Sequence, residues 1–403
     1  MKSFFTVCLI VGATFFAPVS AQQMPELKME TGLNQRFPGP VFIPVPKAWK
    51  DGVEYELENR RSKKRFALQR LSDEELVFLL TDTLQQGQTE VFRFVRNKRQ
   101  DKQFVHAEKT DSGILVKNGE QPVFFYHTSV KYPGGDSGSV YKRSGFIHPV
   151  YTPGGKVLTD DFPVGHTHQH ALFSAWVNTI FKGEKTDFWN QHQLTGTAKH
   201  VAVETMNSGP VCVQLKLRLA QESLKYGTVL DEKWELRIYN LPGTFLFDLH
   251  TEQTNVTGDT LFLPKYIYGG MALRGAARWN KEDSAHFEEN WKVINAAGEE
   301  NEAANHKPAR WVKVSGTGAS GNGMVVYDHP ANFRYPQPVR VHLSMPYFVF
   351  SPVVNEGFAI APGEKYKARY RYFTYDGYPG KNRLLQEEQN WISAPVMKLT
   401  YKK

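Results

Sequence analysis

Apolar and polar residues alternate with a period of two along much of this chain. In "VCVQLKLRL", Val211, Val213, Leu215, Leu217 and Leu219 fall on one side, and Cys212, Gln214, Lys216 and Arg218 on the other. "KWELRIY" repeats the pattern with Trp234, Leu236 and Ile238, and "KARYRYFTY" with Tyr370 and Tyr372. Successive side chains of a strand point to opposite faces, so these runs predict half-buried antiparallel strands. "PGG" at 153–155, "LPG" at 241–243 and "APG" at 361–363 supply turns between them. Helical periodicity is confined to "RLLQEEQNWIS" near the C-terminus and, for a turn or two, to residues 72–80. Many strands without alternating helices predict an all-β antiparallel sandwich rather than a parallel α/β sheet.

The chain divides by composition. "MKSFFTVCLIVGATFFAPVSAQQM" has a basic start, an apolar stretch and a small-residue cleavage pattern. Residues 1–21 are therefore expected to be a signal peptide cut after Ala21, and the mature protein periplasmic or secreted. No later stretch reaches the ~18 apolar residues of a transmembrane span, so no membrane anchor is expected. Residues 22–98 read as a small N-terminal β module. Residues 99–143, with most of the charged "RNKRQDK" at their start and "KYPGGDSGSVYKRSG" near their end, read as a connecting segment. Residues 144–403 read as the main β-sandwich domain and carry nearly all the chemically interesting residues.

Removal of Cys8 with the leader leaves Cys212 alone, so no intramolecular disulfide is expected. A formal charge of +8 is spread through the strands with no long basic run, which speaks against nucleic acid as a partner. A carbohydrate partner, acidic ones included, is compatible with that charge.

"DFPVGHTHQHALFSAW" places His166, His168 and His170 at alternating positions. On a strand these would share one face, adjacent pairs ~6.6 Å apart and the outer pair ~13 Å apart. Two of them could converge on one ion with a remote ligand such as His148, Asp161, His192 or His329; all three could not unless the strand bends. The bland alternative is hydrogen-bonding histidines on a polar sheet face, or a glycan cleft that needs no metal. Gly165 just upstream is expected at a bulge or a close approach to a ligand.

Other segments carry mixtures suited to a sugar ring with its hydroxyls. "TDFWNQHQ" offers Asp187, Trp189 and His192, "YIYGGMALRG" offers Tyr268 and Arg274, and "YDHPANFRYPQP" offers Asp328, His329, Asn332 and Arg334. No G-x-S-x-G elbow, phosphate-binding loop or dinucleotide fingerprint is present. A carboxylate pair for glycoside hydrolysis would come from Asp160, Asp161, Asp187 and Asp328, but its separation is a spatial quantity.

"SGFIHPVYTPGGKVLTDDFPVGHTHQHALFSAW" resembles the hallmark segment of the PmoA-like family of exported bacterial proteins, which carries the label methane oxygenase PmoA. The likeness continues through "YIYGGMALRG", "INAAGEENEAANHKPARWVKVSG" and "MVVYDHPANFRYPQPVRVH", and upstream through "FALQRLSDEELVFLLTDTLQQGQTEVFRF". His148, Asp161, His166, His168, Trp176, Gly270, Arg274, Asp328, His329, Pro330 and Asn332 match the family's pattern. Its aspartate, third histidine and arginine fall on Gly165, Gln169 and His170 here. The resemblance implies a supersandwich of the galactose-mutarotase type, an architecture that hosts epimerases, lyases and glycosidases.

Three readings follow. The first is an exported carbohydrate-active enzyme, with His166, His168, His170, Arg274, Asp328 and His329 catalytic and histidine as general acid or base. Its substrate would be held by His148, Asp161, Trp176, Asp187, Trp189, His192, Tyr268, Asn332 and Arg334. The second is a metal-dependent oxidoreductase with a transition metal on His166 and His168. The third is a glycan-binding protein without catalysis.

Overall fold

The computed structural model describes residues 23–97, 105–136, 138–319 and 321–401. The expected leader and most of "RNKRQDK" lie outside these residues. Two large antiparallel sheets dominate. One has nine strands, in the order 307–308, 338–341, 347–350, 269–274, 172–176, 146–150, 121–127, 113–118 and 105–109. The other has eight: 196–208, 212–223, 227–239, 245–255, 365–375, 323–328, 311–316 and 291–295.

The two sheets pack face to face. Phe124 of the first meets Phe247 of the second with ring centroids 5.3 Å apart, and Trp176 meets Tyr366 at 5.1 Å. Val213, Leu215, Leu217 and Leu219 all enter this shared core, as do Trp234, Leu236 and Ile238. Period-two alternation is what lets one face of each strand fill the space between sheets.

The other face of the eight-stranded sheet is covered too, which the alternation does not reveal. Val211 and Cys212 belong to a second core with Leu71, Val77, Tyr327, Phe373 and Trp391. It lies under the N-terminal module and the helix Lys381–Ile392, the latter where the helical pattern placed it. Gln69 ties the module down: its Oε1 accepts from the backbone N–H of Val211 (3.0 Å) and Cys212 (2.8 Å), and its Nε2 donates to the Cys212 carbonyl (3.0 Å).

Three expectations need correction. Residues 75–80, "ELVFLL", form a strand and not a helical turn. Leu76, Phe78 and Leu80 fill the module's own core while Val77 enters the second core, so burial on both sides erases the alternation. Within the segment read as connecting, residues 105–109, 113–118 and 121–127 are three strands at the edge of the nine-stranded sheet. Finally, the main domain does not hold the whole C-terminus: Val396–Thr400 pairs with Glu26–Glu30 and completes a five-stranded sheet of the N-terminal module. Among the described residues no helix is long and apolar enough to cross a membrane.

Candidate functional site

The three alternating histidines are not on a strand. Residues 161–171 form a loop of consecutive turns before the strand Leu172–Trp176. The His166 N–H donates to the Pro163 carbonyl (3.0 Å), the Gln169 N–H to His166 (2.9 Å) and the Phe162 N–H to Gln169 (3.1 Å). Gly165 takes φ +83° at the third position of the first turn, where a left-handed residue is required. A Cβ there would also collide with the Glu282 carboxylate, so its close approach is to a side chain. The H-T-H-Q-H alternation imitates a strand; Pro163 and Gly165 set the turn instead.

That loop separates the histidines by role. His170 is fully buried against Phe146, Phe162 and Phe173. Its Nδ1–H donates to Asp161 Oδ1 at 2.7 Å, and its Nε2 accepts from Gln191 Nε2 at 3.1 Å. Burial outweighs the neighbouring carboxylate and holds the imidazole down at about 4, hence neutral. Asp161 is engaged on its other oxygen by Lys131 Nζ at 3.0 Å. His170 and Asp161 thus brace the loop rather than face a ligand.

His166 and His168 point elsewhere. With Gln169, Val177, Trp189, Asn190, Tyr266, Tyr268 and Tyr347 they line a cavity of about 160 Å³. Trp189, Tyr268 and Tyr347 form a wall with ring centroids 6.0–6.2 Å apart. Trp189 and Asn190 are set by Asp187, whose Oδ1 accepts both their backbone N–H groups (2.9 and 2.8 Å) and whose Oδ2 accepts Asn190 Nδ2 (2.8 Å). No carboxylate is among the lining side chains.

Imidazoles continue the site in a row. His342 lies 5.3 Å from His166, His166 lies 5.5 Å from His168, and His168 lies 5.8 Å from His192, measured between ring centroids. Burial, reinforced by neighbouring cationic groups, pushes His168 and His342 down to about 4 and lowers His166 as well. These rings are therefore neutral near pH 7. Yet among the described residues no three His, Cys, Asp or Glu side chains are gathered so as to hold a metal ion.

Behind the cavity sits Arg274, directly across the sheet from Tyr347 in register. Its Nη1 donates to Gln169 Oε1 and to Met345 Sδ, both at 3.1 Å, while its Nε and Nη2 find no partner. The Tyr347 hydroxyl and His166 Nδ1 are also buried without a partner. Orphaned polar groups are rare inside proteins and costly, and these four atoms lie around one cavity.

The remaining candidates are placed apart. Asp328 is fully buried, accepting from Asn332 Nδ2 (2.6 Å) and from the backbone of His329 (2.9 Å) and Gln337 (2.8 Å), and burial raises it to about 7. His329 packs on Trp391 of the helix, 4.8 Å between centroids. Asn332 also accepts the Arg369 N–H at 2.7 Å, and Arg334 binds the carbonyls of Pro352 (2.6 Å) and Gly357 (3.0 Å). The polar mixture of "DHPANFRYP" braces a loop and none of it lines the histidine cavity. Trp176 donates to Gln253 (2.7 Å) inside the core. His148, bonded to Thr159 Oγ1 at 3.1 Å, lines a different depression with Asp160 and Arg278.

The sequence reading passed over His342, Tyr347, Tyr266, Asn190 and the ligand-facing part of Gln169. His342 and Tyr347 are lone residues in their segment and reach the site only through strand pairing. Asn190 had a local signal, standing next to Trp189 after the turn-forming Asp187.

No curated protein matches the sequence. Among solved structures, the chain is similar to the GH36 alpha-galactosidase AgaA from Geobacillus stearothermophilus, at 10% identity and a TM-score of 0.33 over 68% of this chain and 41% of that one. AgaB from the same organism is similar at 10% identity and 0.33, over 68% and 38%. The chain thus spans about two fifths of those enzymes, and a likeness this distant transfers no activity. None of these matches carries the oxygenase label of the sequence resemblance. The family model that does match covers residues 113–388, and the chain belongs to that family, DUF6807, described as a family of unknown function.

Proposed function

We propose that the cavity at His166 and His168 binds one ring of a carbohydrate and that the two imidazoles move protons on it. The observation that carries this reading is the pairing of two neutral imidazoles with an aromatic wall in a space free of lining carboxylates. Aromatic faces take the apolar side of a sugar ring, while Gln169 and Asn190 supply amide donors and acceptors for hydroxyls. A volume of about 160 Å³ is below the ~300–1,000 Å³ of sites for drug-sized ligands, which suits one ring and not a chain.

Glycoside hydrolysis of the usual kind needs two carboxyl groups flanking the bond. The lining provides none, so isomerisation or elimination is favoured over hydrolysis. One imidazole accepts a proton from the substrate, and the imidazolium so formed returns that proton to another atom of the substrate, directly or through the second imidazole. Held below the range of free imidazole, they are weak bases, so the transfer depends on stabilising the negative charge left on the substrate. Arg274, behind Gln169, and the Tyr347 hydroxyl are the groups available for that.

The reading includes export: with residues 1–21 removed, the protein would meet its substrate outside the cytoplasm. The test is a monosaccharide panel followed by Trp fluorescence and by proton NMR in deuterated water. Expected are saturable quenching that Trp189→Phe removes, and deuterium incorporation or anomer exchange that His168→Ala removes. Absence of both across the panel, in folded protein, would sink the reading.

A further inference from the structure

Aromatic rings and amides would satisfy a neutral sugar; the positive charge behind them would remain unanswered. We propose that the ligand of this cavity carries a carboxylate, making it a single-ring sugar acid held over Arg274, Arg340 and Tyr347. The inference rests on the carbohydrate reading above and narrows its substrate class.

Three guanidinium groups lie around the cavity, Arg274 and Arg340 one contact from a lining side chain and Arg143 two. Arg274 reaches it through Gln169, at 3.1 Å. Arg340 lies over the Tyr268 ring, 5.1 Å from its centroid. Arg143 lies over Phe173 at 5.0 Å, and Phe173 packs on Trp189 at 4.6 Å. Tyr347, whose hydroxyl is buried and unpartnered, feels all three.

Among the described residues none of the three arginines has a carboxylate within ion-pair distance. Their hydrogen bonds go to neutral acceptors: Arg274 to Gln169 and Met345, Arg340 to Asn305 and the Val341 carbonyl, Arg143 to the Ser174 carbonyl. Nε of each arginine is left over, with Nη2 of Arg274 and Nη1 of Arg143. The nearest acids act on these arginines only from beyond ion-pair distance. Burial raises Asp160, near Arg274, to about 6, and raises Glu232, near Arg143. Asp161 is already shared by Lys131 and His170, and Glu282, which also acts on Arg274, is exposed.

A buried cation without a partner is strongly unfavourable, and the buried Arg143 and Arg274, with half-buried Arg340 beside the same cavity, leave a demand for an anion. None of the three lines the cavity, so their charge acts on a bound carboxylate through the side chains that do, with the Tyr347 hydroxyl as its hydrogen-bond donor. A charge-assisted bond is roughly twice as strong as a neutral one, so a carboxylate in place of a hydroxymethyl group on the same ring should tighten binding at least about tenfold.

The experiment compares D-galacturonate and D-glucuronate with D-galactose and D-glucose by equilibrium titration, with cyclohexanecarboxylate as an anion lacking hydroxyls. It is run on the wild type, Arg274→Gln, Arg340→Gln and Tyr347→Phe, each checked for an unchanged melting transition. Arg340 is half-buried, so its variant carries the test if Arg274→Gln does not fold. A uronate preference of at least about tenfold that collapses toward parity in the arginine variants, with neutral-sugar affinity retained in Arg340→Gln, supports the inference. Equal affinity for acid and neutral sugar overturns it while leaving the carbohydrate reading standing. A preference that survives both arginine variants overturns the assignment of these groups. Arginine-dependent binding of cyclohexanecarboxylate alone keeps the carboxylate and removes the sugar; no binding of any probe removes both.

Discussion

His170 and Asp161 form a buried pair, Nδ1 to Oδ1 at 2.7 Å, beneath the loop that carries His166 and His168. Removing the imidazole leaves the Asp161 carboxylate and the Gln191 amide without their buried partner. His170→Ala should therefore destabilise the protein by about 2–4 kcal/mol, the loss of a hydrogen bond to a charged group together with a buried amide left unsatisfied. His168→Ala opens onto the cavity and should cost less than about 1 kcal/mol while abolishing ligand binding. Urea denaturation of the two variants side by side checks this. Equal losses of stability would mean that the two histidines do not differ in role.

Stability should fall with acid before the carboxylates of the surface are reached. Burial holds His127, His168, His170 and His342 at about 4 and His148 at about 3. An unfolded imidazole titrates near ~6.5, so between there and about pH 4 the unfolded chain binds more protons, and stability drops as pH drops. Asp160 and Asp328, raised to about 6 and about 7, act in the opposite sense because the folded form takes up their protons first. The more numerous imidazoles prevail. Melting temperatures at pH 7, 5.5 and 4.5 should descend in that order; a flat or rising series would contradict the buried neutral histidines.

The imidazole row should not retain a metal. Elemental analysis of the purified mature protein, repeated after adding copper, iron and zinc and removing the excess, is expected to give well under one equivalent. The His166→Ala, His168→Ala double variant should give the same value. One equivalent that disappears in the double variant would make those two side chains metal ligands and move the chemistry away from proton transfer.

Much of the fold was legible because one face of each long strand meets the shared core, as Leu215, Leu217 and Leu219 do. Legibility failed where a second layer covers the other face. Residues 75–80 show no alternation because they are buried between two cores, and Cys212 and Gln214 look solvent-facing until the module lands on them. At the site, Trp189, Tyr268, His166 and His168 could be named from local residue mixtures. His342 and Tyr347 could not, since only the pairing of 269–274 with 347–350 brings them there. "DHPANFRYP" misled for a physical reason: an interior carboxylate with three donors looks the same in sequence whether it serves a ligand or a loop.

Cys212 offers a readout of that module's attachment. Its thiol is fully buried and burial pushes it up to about 12, so it should resist alkylation in the native protein. Gln69→Ala leaves the backbone N–H groups of Val211 and Cys212 without the acceptor they share, while the Cys212 carbonyl keeps the Gly209 N–H, a cost of about 1–3 kcal/mol for each group that water does not reach. Mass spectrometry after iodoacetamide treatment should show slow labelling of the wild type and faster labelling of this variant. Rapid native labelling would mean that the module does not stay docked.

The pairing of Val396–Thr400 with Glu26–Glu30 sets an order of events during synthesis. The strand Glu26–Glu30 has its outer neighbour at Val396–Thr400, on the far side of both sandwich sheets in sequence. Until those residues emerge, the N-terminal module must wait with an open strand edge, and a prematurely terminated product would keep that edge for good. Such edges invite pairing with other chains and draw in the machinery that removes unfinished proteins. The strand Val396–Thr400 therefore closes an edge that a product lacking it would leave exposed.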